Sequence, residues 1–255
     1  QAVARRVGAL AELLQAPNNI LAVEYLKAIF DQRLDLHPLT ILRTGAQHDR
    51  PAEGNVRAAS ELRTRIGAGE NVSTFLPKAA AEISAREKTL GRGPVLPDAL
   101  ESALLSRLRM LEEVDFARYD SGGEGLYRRF YAAVRTAASV DELLGTVKTK
   151  RYAYARLRRM LFAAYLDIAA AELPQEIPYL RVLACNERGR MLLRAIKNEG
   201  SAPVLTKSAD VRSLSEEAQR LFALSARACD QYVLAYPELR AAKGGGAWTQ
   251  GPVIV

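Results

Sequence analysis

The sequence is poor in the residues that build metal sites and disulfide frameworks. It has two cysteines, Cys185 and Cys229, far apart and without CxxC spacing. That argues against a zinc site or a disulfide scaffold and fits a reducing cytosol. Histidine is just as scarce: His37 precedes Pro38 and reads as structural, while His48 beside Asp49 either orients an imidazole near a site or makes a plain loop hydrogen bond. No apolar run approaches the length that crosses a bilayer, and the opening "QAVARRVGALAELL" has arginines where a signal peptide needs its apolar segment. These absences predict a soluble, cytoplasmic protein with no membrane partner.

What is present is globular in character. Of 255 residues, 49% are hydrophobic, which suits one large domain or two smaller ones. Thirty-six Lys and Arg against 29 Asp and Glu give a net charge of +7, a mild argument for a polyanionic partner that local clustering must decide. Position 1 is not Met and the chain opens inside a helical pattern, so a longer polypeptide is expected.

Residues 2–14 have helical spacing, with Val7, Leu10, Leu13 and Leu14 on one face. A second helix is expected from the asparagines of "PNNILAVEYLKAIF", with Ile20, Val23, Leu26 and Ala28 or Phe30 inward. "HPLTILR" is short, β-branched and bounded by turn signals, hence a buried strand. "NVRAASELRTRIGAGE" reads as a helix capped near Ser60 and closed by Gly67 or Gly69. Helix, strand and helix make an α/β arrangement. After about residue 75 the texture turns to long Ala-, Leu- and Arg-rich stretches separated by "GRGPVLP" and "DSGGEG". Helices are predicted near 98–111, 124–137, 140–147, 151–170, 187–198 and 213–235. "PYLRVLAC" and "APVLTK" are candidates to pair as strands beside the fifth of these, and the apolar end beyond Trp248 is expected to dock.

An open α/β sheet binds nucleotides where its strands end and helix N-termini begin. Three pieces fit such a site. Asn18 or Asn19 at a helix start offers an amide to a base or ribose while its neighbour caps the helix. Arg43 would leave "HPLTILR" at its carboxyl edge. Ser60 with Arg63 sets a hydroxyl at a helix N-terminus and a guanidinium one turn on, able to converge on a triphosphate. Each alone also reads as a plain cap, a solvated arginine or a chance pair.

A basic segment says more. "VKTKRYAYARLRRM" holds Lys148, Lys150, Arg151, Arg156, Arg158 and Arg159, with Tyr152 and Tyr154 between the charges and no acid among them. Cations neutralise phosphates and tyrosine rings stack on unpaired bases, so the segment suits RNA. The plainer alternative is a solvated helix face backed by Leu157, Met160 and Leu161; both hold at once if the other side faces the core.

"PNNILAVEYLKAI", the Arg of "TILRTGAQHD", "AASELR", "VKTKRYAYARLRRM", "PYLRVLACNERGRMLL" and "APVLTK" occur in this order in bacterial tRNA(Met) cytidine acetate ligases, which the chain resembles from near residue 1 to about residue 210. The resemblance implies activation of acetate with ATP, and Mg²⁺ as companion, to acetyl-adenylate. The acetyl group then passes to the wobble cytidine of elongator tRNA(Met). It implies ATP contacts at Asn18, with Asn19 left to cap, and at Arg43, Ser60 and Arg63. For tRNA it implies Lys148, Lys150, Arg151, Tyr152, Arg156 and Arg159.

The expected fold is then mostly α. Residues 1–75 would be the C-terminal remnant of an α/β, Rossmann-like nucleotidyltransferase domain, and residues 76–255 a mainly helical tRNA-binding domain. The HxGH sequence of that family, whose imidazoles stabilise the phosphorus transition state, is absent from this chain. By the resemblance more than a hundred residues precede Gln1, and the chain alone is expected to be inactive in adenylate formation. Two other readings are a nucleotidyltransferase acting on a small metabolite and a non-catalytic RNA-binding helical module.

Overall fold

The computed structural model describes residues 8, 12, 14, 17–41, 56–120 and 125–255. Contacts divide the chain into Gln1–Ala58 and Ala59–Val255, ahead of the break expected after about residue 75. Among the described residues no helix is long and apolar enough to cross a membrane.

In the first unit, helix α1 spans Pro17–Asp31. Proline suits the first helical position, because its fixed φ is already helical and its missing N–H would be unpaired there anyway. Asn18 and Asn19 therefore fall inside the first turn, and the cap expected of Asn19 is not formed. The helix closes on Arg33, at φ 51, where Leu34 N donates to Ile29 O and Arg33 N to Phe30 O. The strand expected over residues 37–43 is also not formed in its described part. Residues 37–41 are irregular, with Leu39 and Ile41 almost fully exposed. A strand exists only in a ladder, and the described residues of this unit supply no second strand. Arg43, His48 and most of the helix expected over 2–14 lie outside the described residues.

The second unit opens with α2, Ala59–Gly67. Ser60 stands inside the first turn rather than capping it, and its carbonyl accepts from Thr64 Oγ1. The end is read correctly from the glycines: Gly69 adopts φ +79, and the Gly69 and Glu70 amides donate to Ile66 and Arg65 carbonyls. Helix α3, Lys78–Thr89, was not foreseen. Its successor loop meets distant chain at Gly91, where φ is +67 and a Cβ would sit 2.4 Å from Glu238 Cβ, so only glycine fits.

Helices α4 (Glu101–Arg109), α5 (Glu113–Ala117), α6 (Leu126–Thr136), α7 (Val140–Val147) and α8 (Tyr154–Leu166) form a bundle around one core. Leu108, Phe116, Leu126, Phe130, Leu143 and Leu157 are wholly buried there. The short α7 is specified by its start: Ser139 Oγ accepts from Glu142 N, and Asp141 and Glu142 lie in the first turn, where the helix dipole favours negative charge. Two arginines fasten helix ends by bonding carbonyls that the helices leave open. Arg109 donates to Val134 O and Ala137 O, and Arg135 donates to Arg109 O and Leu111 O.

Beyond the bundle lie α9 (Glu187–Glu199, capped by Asn186), α10 (Glu216–Tyr232, capped by Ser215) and two small parallel sheets. Strand β1 (Leu180–Arg181) pairs with β3 (Val204–Leu205), flanking α9 as expected, and β2 (Ala184–Cys185) pairs with β4 (Val253–Ile254). The apolar tail thus docks through its backbone. Trp248 adds an edge contact on Phe222, with ring centroids 4.7 Å apart.

At the end of α8, Asp167 takes a left-handed conformation, φ 57, and its Oδ1 accepts a 2.6 Å hydrogen bond from Tyr119 Oη. That bond holds the Asp167 carboxyl below its usual value of 3.8, and burial together with it pushes Tyr119 up to about 12. The tyrosine's contribution to stability is complete below pH 10.0 and is lost as pH rises toward about 12, because the unfolded chain ionises first. The carboxylate's contribution is complete above pH 3.8 and is lost as pH falls through the lower folded value. Denaturant midpoints measured across pH 9 to 12 are expected to fall less for Tyr119→Phe than for the parent; equal slopes would refute the assignment.

Candidate nucleic-acid interface

Helix α8 has two faces. Leu157, Met160, Leu161, Ala164 and Tyr165 recur at three- and four-residue spacing and are buried. Tyr154, Ala155, Arg158, Arg159 and Phe162 are exposed on the other side. The sequence 143–166 carries no Asp or Glu, so the helix itself supplies nothing to neutralise these cations.

The residues expected to meet RNA divide into two groups. Lys150, Arg151 and Arg159 are exposed. Lys148 is half-buried: its Nζ donates to Thr149 O at 2.6 Å and lies 5.5 Å from the Tyr154 ring centroid. Tyr152 is only 5% exposed and belongs to the bundle core, so it offers no face to a base. The cause is local: an isolated bridge between Thr149 and Tyr152 turns the chain just before α8, which starts at Tyr154 and not at residue 151. Arg156 is likewise drawn inward. Its Nη2 lies 3.2 Å from Asp120 Oδ1, whose side chain is 2% exposed, and its guanidinium covers the Tyr152 ring at 5.2 Å. Arg156 therefore neutralises a buried carboxylate, which changes its expected role from RNA contact to structural ion pair.

Of the nucleotide candidates, Asn18 is exposed in the first turn of α1 and Arg43 lies outside the described residues. Ser60 and Arg63 are exposed in the second unit, three apart on α2, a spacing that makes them neighbours on one face. Glu61, the acid of that first turn, is engaged by Arg65 at 3.0 Å, which lessens its opposition to an anion. Among the described residues no group of three or more His, Cys, Asp or Glu side chains could hold a metal ion.

Exposed residues that sequence reasoning did not single out are Arg158, as part of a site, and Phe162. The signal was there in the four-residue recurrence of Tyr154, Arg158 and Phe162.

The helix-rich fold accords with comparison to known proteins. The chain belongs to the HIGH nucleotidyl transferase family, whose profile matches residues 1–245. Within that family it is similar to tRNA(Met) cytidine acetate ligases. The one from Fervidobacterium nodosum is 35% identical over 219 residues, 83% of this chain and 51% of that protein. The one from Kosmotoga olearia is 36% identical over 200 residues, 76% of this chain and 47% of that protein. The chain spans about half the length of these curated relatives. Among solved structures, Thermotoga maritima TmcAL bound with alpha-thio ATP superposes with a TM-score of 0.86 at 25% identity, over 95% of this chain and 60% of that one.

Proposed function

We propose that the chain is part of an ATP-dependent tRNA(Met) cytidine acetate ligase acting in the cytoplasm. In this reading acetate attacks the α-phosphorus of ATP, pyrophosphate leaves, and the exocyclic amine of the wobble cytidine of elongator tRNA(Met) then displaces AMP from acetyl-adenylate. The observation that carries the reading is the cationic segment that runs into α8, with Lys150 exposed before the helix and Arg158 and Arg159 exposed on it and no acid among them, in a chain similar to enzymes that bear this name. Residues 1–75 serve the nucleotide and residues 76–255 the tRNA. Asn18 contacts base or ribose, and Arg43, Ser60 and Arg63 contact phosphates. Magnesium travels with the ATP phosphates. Lys148, Lys150, Arg151 and Arg159 contact the tRNA backbone.

A gel-shift titration with an elongator tRNA(Met) transcript tests the reading, and absence of any shift at low salt would sink it. For the nucleotide, Asn18→Ala is expected to weaken ATP binding by about 1 to 2 kcal/mol, the loss of one hydrogen bond to the bound nucleotide. Calorimetric titration of parent and variant with ATP measures this. A lower melting temperature at unchanged ATP affinity would reassign Asn18 to structure.

A further inference from the structure

The outer face of α8 has a second property besides charge. Tyr154, Arg158 and Phe162 stand at i, i+4 and i+8, one above another on one face, with about 5 to 6 Å between successive Cβ atoms. Tyr154 is 47% exposed and Phe162 45% exposed, while the apolar side of the same helix is buried without them. Lys148 holds Tyr154 from the N-terminal side, and Arg159 is the neighbour of Arg158 in sequence. Two exposed rings with a guanidinium between them, beside further cations and no acid on the helix, are suited to flat, electron-rich, anionic ligands.

We propose that Tyr154, Arg158 and Phe162 form a stacking platform for unpaired nucleotides of RNA. The proposal rests on the tRNA reading above and deepens it: the face receives splayed, single-stranded bases and not the backbone of a double helix. Bases inside an A-form helix are already stacked on one another and present no free face, so exposed rings gain little from a duplex. Bases of a loop are unstacked, and each adds to affinity when it finds a ring or a guanidinium plane. The charge pattern also selects the occupant. An apolar protein surface laid on Phe162 would bury Arg158 beside it without a counter-charge, whereas a nucleotide brings a phosphate with every base.

The test uses fluorescence anisotropy on the 255-residue chain with three probes: elongator tRNA(Met) transcript, a single-stranded RNA of its anticodon-loop sequence, and a blunt RNA duplex. Tyr154→Ala and Phe162→Ala are each expected to weaken the transcript and the single strand by about tenfold, the effect of one lost base–ring stack, with little change for the duplex. Phe162→Trp is expected to retain affinity and Phe162→Leu to lose it, since leucine keeps apolar area but no π-face. Circular dichroism melts of the four variants within a few degrees of the parent attribute the losses to binding. If the parent binds the transcript and Phe162→Leu binds it equally well, the platform is refuted while the tRNA reading stands. If the parent binds none of the three probes at low salt, both fall. Capture of polyglutamate with the same dependence on Phe162 would assign the face to an acidic protein and overturn the proposal.

Discussion

Replacing Arg156 with alanine is expected to cost about 3 kcal/mol of folding stability, because it leaves the Asp120 carboxylate buried without its guanidinium. For a unit of this size the melting temperature should fall by roughly 6 to 12 °C. The Tyr127 amide still donates to Asp120 Oδ2, so the cost lies in the buried charge that loses its counter-ion and not in the worth of the pair. The double variant Asp120→Asn with Arg156→Gln, which removes both charges together, should therefore recover most of the loss. Thermal unfolding of the three variants measures this, and tRNA affinity of Arg156→Ala, taken well below its melting temperature, separates the two possible roles. A stable Arg156→Ala protein with weakened tRNA binding would return Arg156 to the RNA face and contradict the structural assignment.

Affinity for elongator tRNA(Met) should fall on the order of 100-fold between about 50 and about 200 mM salt if four phosphates are neutralised, since each releases most of one condensed counterion. The four cations proposed for this work are Lys150, Arg151 and Arg159, all exposed, and the half-buried Lys148. Lys150→Ala combined with Arg159→Ala is expected to lower the slope of log affinity against log salt by about 1.5. The losses should be alike for different tRNA sequences, because phosphate contacts position the molecule without reading it. Binding that hardly responds to salt, or a double variant with the parent slope, would show that the segment from Lys148 to Arg159 does not carry the electrostatic contact.

What the sequence makes legible here follows from how far each signal reaches. Local signals worked: the helices expected near 140–147 and 187–198 are α7 and α9, and of the two glycines expected to close α2 it is Gly69 that adopts the left-handed turn. Periodicity alone placed Leu157, Met160 and Leu161 in the core. Helix α3 escaped because its "KAAAEISAREKT" is mostly alanine and charge, a strong helix former with a weak apolar stripe. The errors at the site came from distance. Nothing near Arg156 in sequence hints that Asp120, 36 residues earlier, folds against it. Tyr152 was misplaced because the helix was started too early, which rotates every side chain before Tyr154 onto a fictitious face. The strand expected at residues 37–43 differs: over its described part, 37–41, the composition is right, but a strand needs a neighbour that composition cannot supply.

The two strand pairs join stretches that are remote along the chain, Ala184–Cys185 having to await Val253–Ile254, whereas α4 to α8 assemble between Glu101 and Leu166 from consecutive neighbours. Closing a short loop sacrifices less chain freedom than closing a long one, so local contacts form sooner. During synthesis from the N-terminus the five-helix bundle should therefore settle while the strand pairs are still incomplete. A nascent chain halted at that stage would already display a finished cationic surface, making the ribosome's own RNA its first competitor.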